Sequence, residues 1–133
     1  MNGYVLDASA LLAFVYDEAG ADRVQAALKI GAMASTVNWA ESVSRMADRG
    51  QPVDEAVHHL RSLIQESGTI ELVPFTESHA REAARLRPIT RSLGLSLADR
   101  ACLALGRLHR VPVLTTDRAW RSLHISVKID VIR

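Results

Sequence analysis

The stretch Tyr4-Val5-Leu6-Asp7-Ala8-Ser9 stands near the start of the chain and guides the interpretation of the rest. Apolar residues lead directly to a carboxylate, which predicts a buried strand over residues 5–7 with Asp7 at its carboxyl end. A buried carboxylate is costly unless something compensates its charge. The hypothesis from this stretch is that a divalent cation supplies the compensation, and that other acids help to hold it.

The composition is typical of an ordinary folded protein. The chain has 133 residues, 48% of them apolar and 23% charged, which predicts a single domain over residues 1–133 with a real core. The longest apolar run, residues 10–16, is too short to span a membrane, and nothing before Asp7 is typical of a secretory signal. One cysteine, Cys102, excludes an internal disulfide and is typical of a core thiol. We therefore expect a cytoplasmic protein with no membrane association.

The charges are distributed unevenly along the chain. Residues 1–66 carry 5 basic and 9 acidic side chains, whereas residues 67–133 carry 11 basic and 6 acidic ones. Arginine supplies 14 of the 16 basic residues, and its guanidinium fork suits phosphate oxygens. A charged, solvated surface is the better explanation of this composition taken alone, so a nucleic-acid partner is permitted but not required.

Predicted strands and helices alternate along the chain. Strands are predicted at residues 5–7, 32–35, 70–75, 111–114 and 125–132. Helices are predicted at residues 9–16, 21–30, 36–49, 53–66, from a cap at Thr76 to about 86, from a cap at Ser96 to 109, and at 117–123. Pro88 is expected to end the fifth helix, and residues 91–95 are expected to form a loop. The alternation predicts an α/β fold with a parallel sheet covered on both faces.

Four acids fall at or near predicted helix N-termini. Asp7 closes the first strand, Glu41 lies one turn into the helix after the second strand, Asp99 lies in Leu95-Ser96-Leu97-Ala98-Asp99, and Asp117 follows Val113-Leu114-Thr115-Thr116. In parallel sheets with right-handed connections these ends share one edge, which is where ligands bind. The pattern predicts a cluster of carboxylates at that edge.

Each acid also has a structural explanation. Ser96-x-x-Asp99 and Asn38-x-x-Glu41 resemble capping boxes, Asp7 and Asp117 fit N-caps, and Glu41 can pair with Arg45. However, four clustered anions repel one another by more than helix dipoles offset, about 0.3–1 kcal/mol per charge. Mg²⁺ or Mn²⁺ would resolve the repulsion, since carboxylate oxygens suit both ions. Polar neighbours are candidates to orient the acids or the waters of the ion: Ser9, Asn38, Thr115 and Thr116.

Other motifs are weak. The five histidines and Cys102 form no zinc-type spacing, and the seven glycines are too scattered for a phosphate loop. Trp39 and Trp120 lie near proposed acids, and packing explains them better than base stacking.

The four acids in their local sequences resemble the PIN-domain ribonucleases, and in particular the small VapC-type toxins of bacterial toxin–antitoxin pairs. The matching segments are Val5-Leu6-Asp7-Ala8-Ser9, then Glu41, then Leu97-Ala98-Asp99-Arg100-Ala101, then Leu114-Thr115-Thr116-Asp117. The resemblance covers the full chain.

The resemblance implies a three-layer α/β/α sandwich with a central parallel sheet and metal-dependent hydrolysis of RNA phosphodiester bonds. Asp7, Glu41, Asp99 and Asp117 would be the catalytic and metal-binding acids, with Ser9 and Thr115 as polar helpers. It also implies a homodimer and a small VapB-type antitoxin. Some members carry a further acid just after the fourth, where this chain continues Arg118-Ala119-Trp120-Arg121, so a second metal ion is not implied. Arg100, Arg118 and Arg121 are candidate phosphate-binding residues, with surface ion pairs as the alternative.

Other classes of protein remain open at this point. A receiver-like phosphoacceptor domain also gathers acids around Mg²⁺, but it has paired acids at its first strand and a lysine after a late strand, whereas Lys128 lies inside the predicted last strand. A haloacid-dehalogenase-type phosphatase needs a second acid where this chain has Ser9. A catalytically silent PIN-like module that binds RNA or a partner is the remaining alternative, against which the presence of all four acids argues.

Overall fold

The computed structural model describes residues 3–133, which form five β-strands and six α-helices. The strands are β1 (Tyr4–Leu6), β2 (Ala32–Ser35), β3 (Ile70–Val73), β4 (Val113–Thr115) and β5 (Ile129–Val131). The helices are α1 (Ala8–Val15), α2 (Ala21–Ile30), α3 (Thr36–Asp48), α4 (Val53–Ser67), α5 (Glu77–Thr90) and α6 (Leu97–His109). None of these helices combines the length and the apolar character needed to cross a bilayer.

The sheet has the strand order β3-β2-β1-β4-β5, and every pair of neighbouring strands is parallel. The chain moves outward from β1 through β2 to β3 and then crosses to β4 on the other side of β1. The order therefore reverses between β1 and β4, where parallel sheets leave a crevice at their carboxyl ends. Asp7 N donates to Leu114 O at 3.2 Å in this crevice, so the ends of β1 and β4 are directly joined.

Each face of the sheet carries its own hydrophobic core. One core combines α1, α2, α3 and α4 and includes the fully buried side chains of Leu6, Leu11, Leu28, Met46 and Leu60. The other lies against α5 and α6 and includes Val5, Leu86, Leu103, Leu105 and Trp120. Val5 and Leu6 therefore point to opposite cores, as successive strand residues must. The prediction of a three-layer α/β/α sandwich with a central parallel sheet is confirmed.

Helix α6 lies unusually close to the sheet at Gly106. A Cβ added at this glycine would come within 2.5 Å of Val113 Cγ2, so only a residue without a side chain allows this approach. The close contact fixes the helix that carries Asp99 against strand β4.

Several predicted boundaries are wrong. Helix α5 continues through Pro88 to Thr90, because Leu86 and Thr90 are buried and tertiary packing outweighs one missing backbone donor. Residues Arg91–Leu93 in the predicted loop form a 3₁₀ turn, as do Arg118–Ser122 in the predicted seventh helix. Strand β3 ends before Pro74, and β5 is limited to three residues, matching the three residues of its neighbour β4.

Candidate active site

The carboxylate of Asp7 is the most enclosed acid of the candidate site. Asp7 is 4% exposed and caps α1, with Ala10 N donating to its Oδ1 at 2.8 Å. Ser9 Oγ donates to the same oxygen at 2.7 Å, and Thr115 Oγ1 donates to Oδ2 at 2.6 Å. Three donors from two elements hold the carboxylate in one orientation at the end of β1.

Burial raises the pKa of Asp7 to about 6, because removal from water disfavours the charged form. The hydrogen bonds from Thr115, Ser9 and Ala10 act in the opposite direction and lower this pKa, whereas the negative charge of Asp99 raises it further. The hydrogen bonds do not fully compensate the burial of the charge. A titratable group shifted in this way and lying in a cleft is typical of functional sites.

Ser9 and Thr115 form a small network with the backbone that follows β4. Thr116 N donates to Ser9 Oγ at 2.9 Å, and Asp117 N donates to Thr115 Oγ1 at 3.1 Å. The two hydroxyl groups thus join Asp7 on β1 to the segment that carries Asp117. Asp117 in turn caps the 3₁₀ turn through Ala119 N, which donates to Asp117 Oδ1 at 3.0 Å.

Asp99 and Ser96 form the capping box that the sequence predicts at the start of α6. Ser96 N donates to Asp99 Oδ2 at 3.0 Å, and Asp99 N donates to Ser96 Oγ at 3.1 Å. This box commits one carboxylate oxygen of Asp99. Its Oδ1 accepts no hydrogen bond from any residue between 3 and 133, so it remains available to a ligand in the cleft.

Helix α3 is capped differently from the sequence prediction. Ser35 is its N-cap, with Val37 N donating to Ser35 Oγ at 3.2 Å, so Asn38 and Glu41 do not form a capping box. Asn38 is 1% exposed, and its Nδ2 donates to Ala98 O at 2.9 Å rather than to one of the acids. Glu41 is partly exposed, and its Oε2 lies 3.9 Å from Arg45 Nη2.

The four acids predicted from the sequence line one cleft at this edge of the sheet. The cleft has a volume of about 470 Å³ and is lined by Asp7, Ser9, Glu41, Arg45, Ser96, Asp99, Thr116 and Asp117. The thiol of Cys102, on α6, is fully buried. Burial raises its pKa, and the charges of Asp7, Asp99 and Glu41 raise it further.

The chemistry of the cleft fits a hard divalent cation, since carboxylate and hydroxyl oxygens dominate its lining. Within residues 3–133, however, no three side chains of His, Cys, Asp or Glu lie close enough together to hold one ion as they stand. A cation would therefore have to draw the carboxylates inward against their mutual repulsion. The carboxylate of Asp7 is already fixed by its donors, whereas the carboxylate of Glu41 accepts no hydrogen bond from the described residues.

The arginines are placed differently from the sequence prediction. Arg100 Nη1 donates to Ala83 O at 3.0 Å, and Arg118 Nε donates to Arg133 O at 3.4 Å. Neither of these residues nor Arg121 lines the acidic cleft, and their role in phosphate binding stays a prediction. Arg45 does line the cleft, whereas its place in the sequence indicated only a partner for Glu41. Its spacing of four residues from Glu41 was the one available signal.

The sequence model of the PIN domain family matches residues 4–125 of this chain. The chain belongs to the PIN-domain family. The matched range contains all four acids and the strands β1 to β4 of this PIN domain. No curated protein sequence matches it.

Solved structures share the fold of this PIN domain at low sequence identity. The DNA-bound VapBC of Salmonella typhimurium is 12% identical, with a TM-score of 0.73 and 98% of each chain covered. VapBC2 of Rickettsia felis, bound to a promoter DNA fragment, is 11% identical, with a TM-score of 0.72 and 96% of each chain covered. Mycobacterium tuberculosis VapC20, a Sarcin-Ricin loop cleaving toxin, is 17% identical, with a TM-score of 0.70, covering 94% of this chain and 98% of that one. At such identities the likeness shows the fold.

Proposed function

We propose that this PIN domain is a divalent-metal-dependent ribonuclease, with Mg²⁺ as the expected ion and Mn²⁺ as the alternative. The observation that carries the proposal is the convergence of Asp7, Glu41, Asp99 and Asp117 on one cleft at the point where strand order reverses. Membership of the PIN-domain family supports the same assignment. When bound, the cation supplies Lewis-acid activation of a water and neutralises charge on the phosphate.

The residues of the chain divide the work of holding such an ion. Asp7 is a preoriented ligand, because Ser9 and Thr115 fix its two oxygens. Asp99 and Asp117 each use one carboxylate oxygen to accept a backbone N–H at the start of a helix or turn. The other oxygen of each is the proposed ligand of the ion. Glu41 is the fourth ligand, and no hydrogen bond from the described residues holds its carboxylate in place. The acids hold the ion and take no covalent part in the reaction.

We further propose that this nuclease is the toxin of a toxin–antitoxin pair, with a small VapB-type antitoxin as partner and a homodimer as the assembly. Three similar solved structures are a VapC toxin and two VapBC complexes, which supports this proposal. A cytoplasmic location is expected for such a protein, because its RNA substrate is there.

Cleavage of a mixed RNA pool by purified wild type and Asp99→Asn, each with Mg²⁺, Mn²⁺ or EDTA, tests the nuclease proposal. Asp54→Asn is the matched control, because Asp54 is also a first-turn acid of a helix but is exposed and outside the cleft. We expect wild type and Asp54→Asn to cleave with either metal, EDTA to abolish cleavage, and Asp99→Asn to be inactive.

Equal cleavage by wild type and Asp99→Asn, or none by either protein shown to be free of antitoxin, would contradict the nuclease proposal. The second outcome, combined with RNA binding in EDTA, would favour the catalytically silent PIN-like module. Trapping of an acyl-phosphate on Asp7 would instead reveal a receiver-like phosphoacceptor domain.

A further inference from the structure

Arg45 is the one cationic side chain among the residues that line the acidic cleft in the described part of the chain. It lies on α3, one helical turn beyond Glu41, and its side chain is 56% exposed. The cleft that it enters is otherwise lined by four carboxylates and three hydroxyl side chains. Its position therefore needs an explanation that is specific to this cleft.

The ion pair with Glu41 does not provide that explanation. Arg45 Nη2 lies 3.9 Å from Glu41 Oε2, which is beyond hydrogen-bond distance, and exposed pairs of this kind contribute little to stability. Arg81 offers a direct comparison on α5. It also follows a glutamate by four residues and is 58% exposed, yet its Nη2 lies 2.6 Å from Glu77 Oε1. The guanidinium of Arg45 donates no hydrogen bond to any residue between 3 and 133, so its N–H donors are uncommitted.

We propose that Arg45 binds a phosphate group of the RNA strand that occupies the cleft. The proposal rests on the proposed ribonuclease function and adds a substrate-binding residue to it. A polyanion approaching four carboxylates meets strong repulsion, and a guanidinium fork at the rim offsets part of it by donating hydrogen bonds to two phosphate oxygens. Among the described residues that line the cleft, only Arg45 has this chemistry.

The position of Arg45 along α3 indicates which phosphate it contacts. Four residues advance about 6 Å along a helix axis, so Arg45 lies a full turn further from the N-terminus of α3 than Glu41. Glu41 is a proposed ligand of the ion, which would bind the scissile phosphate. Arg45 therefore contacts a flanking phosphate of the same strand, and it contributes to substrate binding more than to the chemical step.

The proposal is tested by the salt dependence of RNA binding. The probe is a fluorescein-labelled, random-sequence, single-stranded RNA pool, and its affinity is measured by anisotropy in EDTA, which prevents cleavage, over a series of KCl concentrations. The proteins are wild type, Arg45→Ala, Arg45→Lys and the matched control Arg81→Ala. We expect Arg45→Ala to weaken binding about tenfold and to reduce the slope of log K against log [KCl] by about 0.7.

The two other variants should behave differently from Arg45→Ala. Arg45→Lys should keep the slope with a smaller loss of affinity, because it retains the charge and loses the fork. Arg81→Ala should match wild type in affinity and slope. In Mg²⁺, Arg45→Ala should raise KM with little change in kcat, as expected for a flanking contact.

Three results would overturn the proposal. These are a slope and affinity of Arg45→Ala equal to those of Arg81→Ala, an altered Mg²⁺ dependence of Arg45→Ala with an unchanged salt slope, and no RNA binding by wild type. The second would assign Arg45 to the positioning of Glu41 alone. The outcome also separates the two proposals. Cleavage that Arg45→Ala leaves unchanged would contradict only the proposed Arg45 contact. RNA binding that depends on Arg45, without cleavage in Mg²⁺, would contradict only the proposed ribonuclease function.

Discussion

At the residue scale, Asp7 shows a conflict between stability and function. The side chain is almost fully buried, and three hydrogen bonds to its oxygens do not offset the loss of water. Its pKa of about 6 lies above the ordinary value of 3.8, so folding favours the protonated carboxyl more than water does. A fold that keeps such a group at the end of its central strand gives up stability in the absence of a compensating cation.

The substitution Asp7→Asn should stabilise the metal-free protein while abolishing cleavage. The pKa difference corresponds to an upper limit of about 3 kcal/mol at neutral pH, and rearrangement of the donors around an amide will reduce the gain to about 1–2 kcal/mol. Urea unfolding in EDTA at about pH 8 measures the gain, with Asp54→Asn as the control. A variant that is less stable than wild type would show that the hydrogen bonds to the carboxylate outweigh its burial.

The same residue predicts a pH dependence of stability. Because the folded-state pKa of Asp7 is raised, the destabilisation is fully present above about pH 6 and is relieved as the pH falls from about 6 towards 3.8. The stability advantage of Asp7→Asn over wild type should therefore be largest at neutral pH and shrink on acidification. Urea unfolding of both proteins in EDTA at several pH values isolates this contribution, since other groups cancel in the difference. A pH-independent difference would mean that Asp7 does not titrate in this range.

At the element scale, a single buried amide connects the two helices that carry Glu41 and Asp99. Asn38 Nδ2 on α3 donates to Ala98 O, which immediately precedes Asp99 on α6. One turn further along α3, Ser42 Oγ donates to Asn38 O and stays within its own helix. Asn38 thus fixes the distance between the helices, whereas Ser42 does not.

The substitution Asn38→Ala should weaken metal binding, and Ser42→Ala should not. Loss of the amide leaves a cavity and one carbonyl with fewer partners, which costs about 1–3 kcal/mol of stability. It also frees Glu41 and Asp99 to separate under their repulsion. Mn²⁺ binding without RNA, together with urea unfolding in EDTA, compares the two variants. Equal Mn²⁺ affinity in both would restrict Asn38 to a role in folding.

Sequence patterns predicted those elements whose ends depend on local chemistry. Asp7, Thr76 and Ser96 are N-caps as expected, because each satisfies backbone donors of its own first turn. The end of α5 was wrongly predicted from Pro88, since the burial of Leu86 and Thr90 against distant residues decides where this helix ends. The final strand was predicted too long because its apolar residues pack in the core without pairing with β4.

The same distinction applies to the candidate site. The acids could be proposed from sequence because strand ends and helix starts in an alternating chain meet at one edge. The contacts of Asn38 and Arg100 could not, since they reach Ala98 and Ala83 across 60 and 17 residues. The entry of Arg45 into the cleft depends on the rotation of α3 about its axis, which only packing determines.

At the scale of the whole molecule, the strand order places the cleft between the two cores. The crevice between β1 and β4 receives Asp7 from one side and the Thr115–Asp117 segment from the other, while α3 and α6 close it. Gly106 allows α6 to lie directly on β4. A cation bound here would therefore contact residues from the start, middle and end of the chain, and it would couple both cores.

Mg²⁺ should consequently raise the melting temperature of the whole protein. A ligand at 100 times its Kd stabilises the folded state by about 2.7 kcal/mol, and each kcal/mol is worth roughly 3–5 °C for a chain of this size. We expect a shift of this order in wild type and in Asp54→Asn, and a much smaller one in Asp7→Asn, measured by thermal unfolding against KCl of equal ionic strength. The shift will be limited by the repulsion that must be overcome to gather the carboxylates. An equal rise in wild type and Asp7→Asn would place the cation elsewhere, because hydrogen bonds to both carboxylate oxygens already orient Asp7 in this cleft.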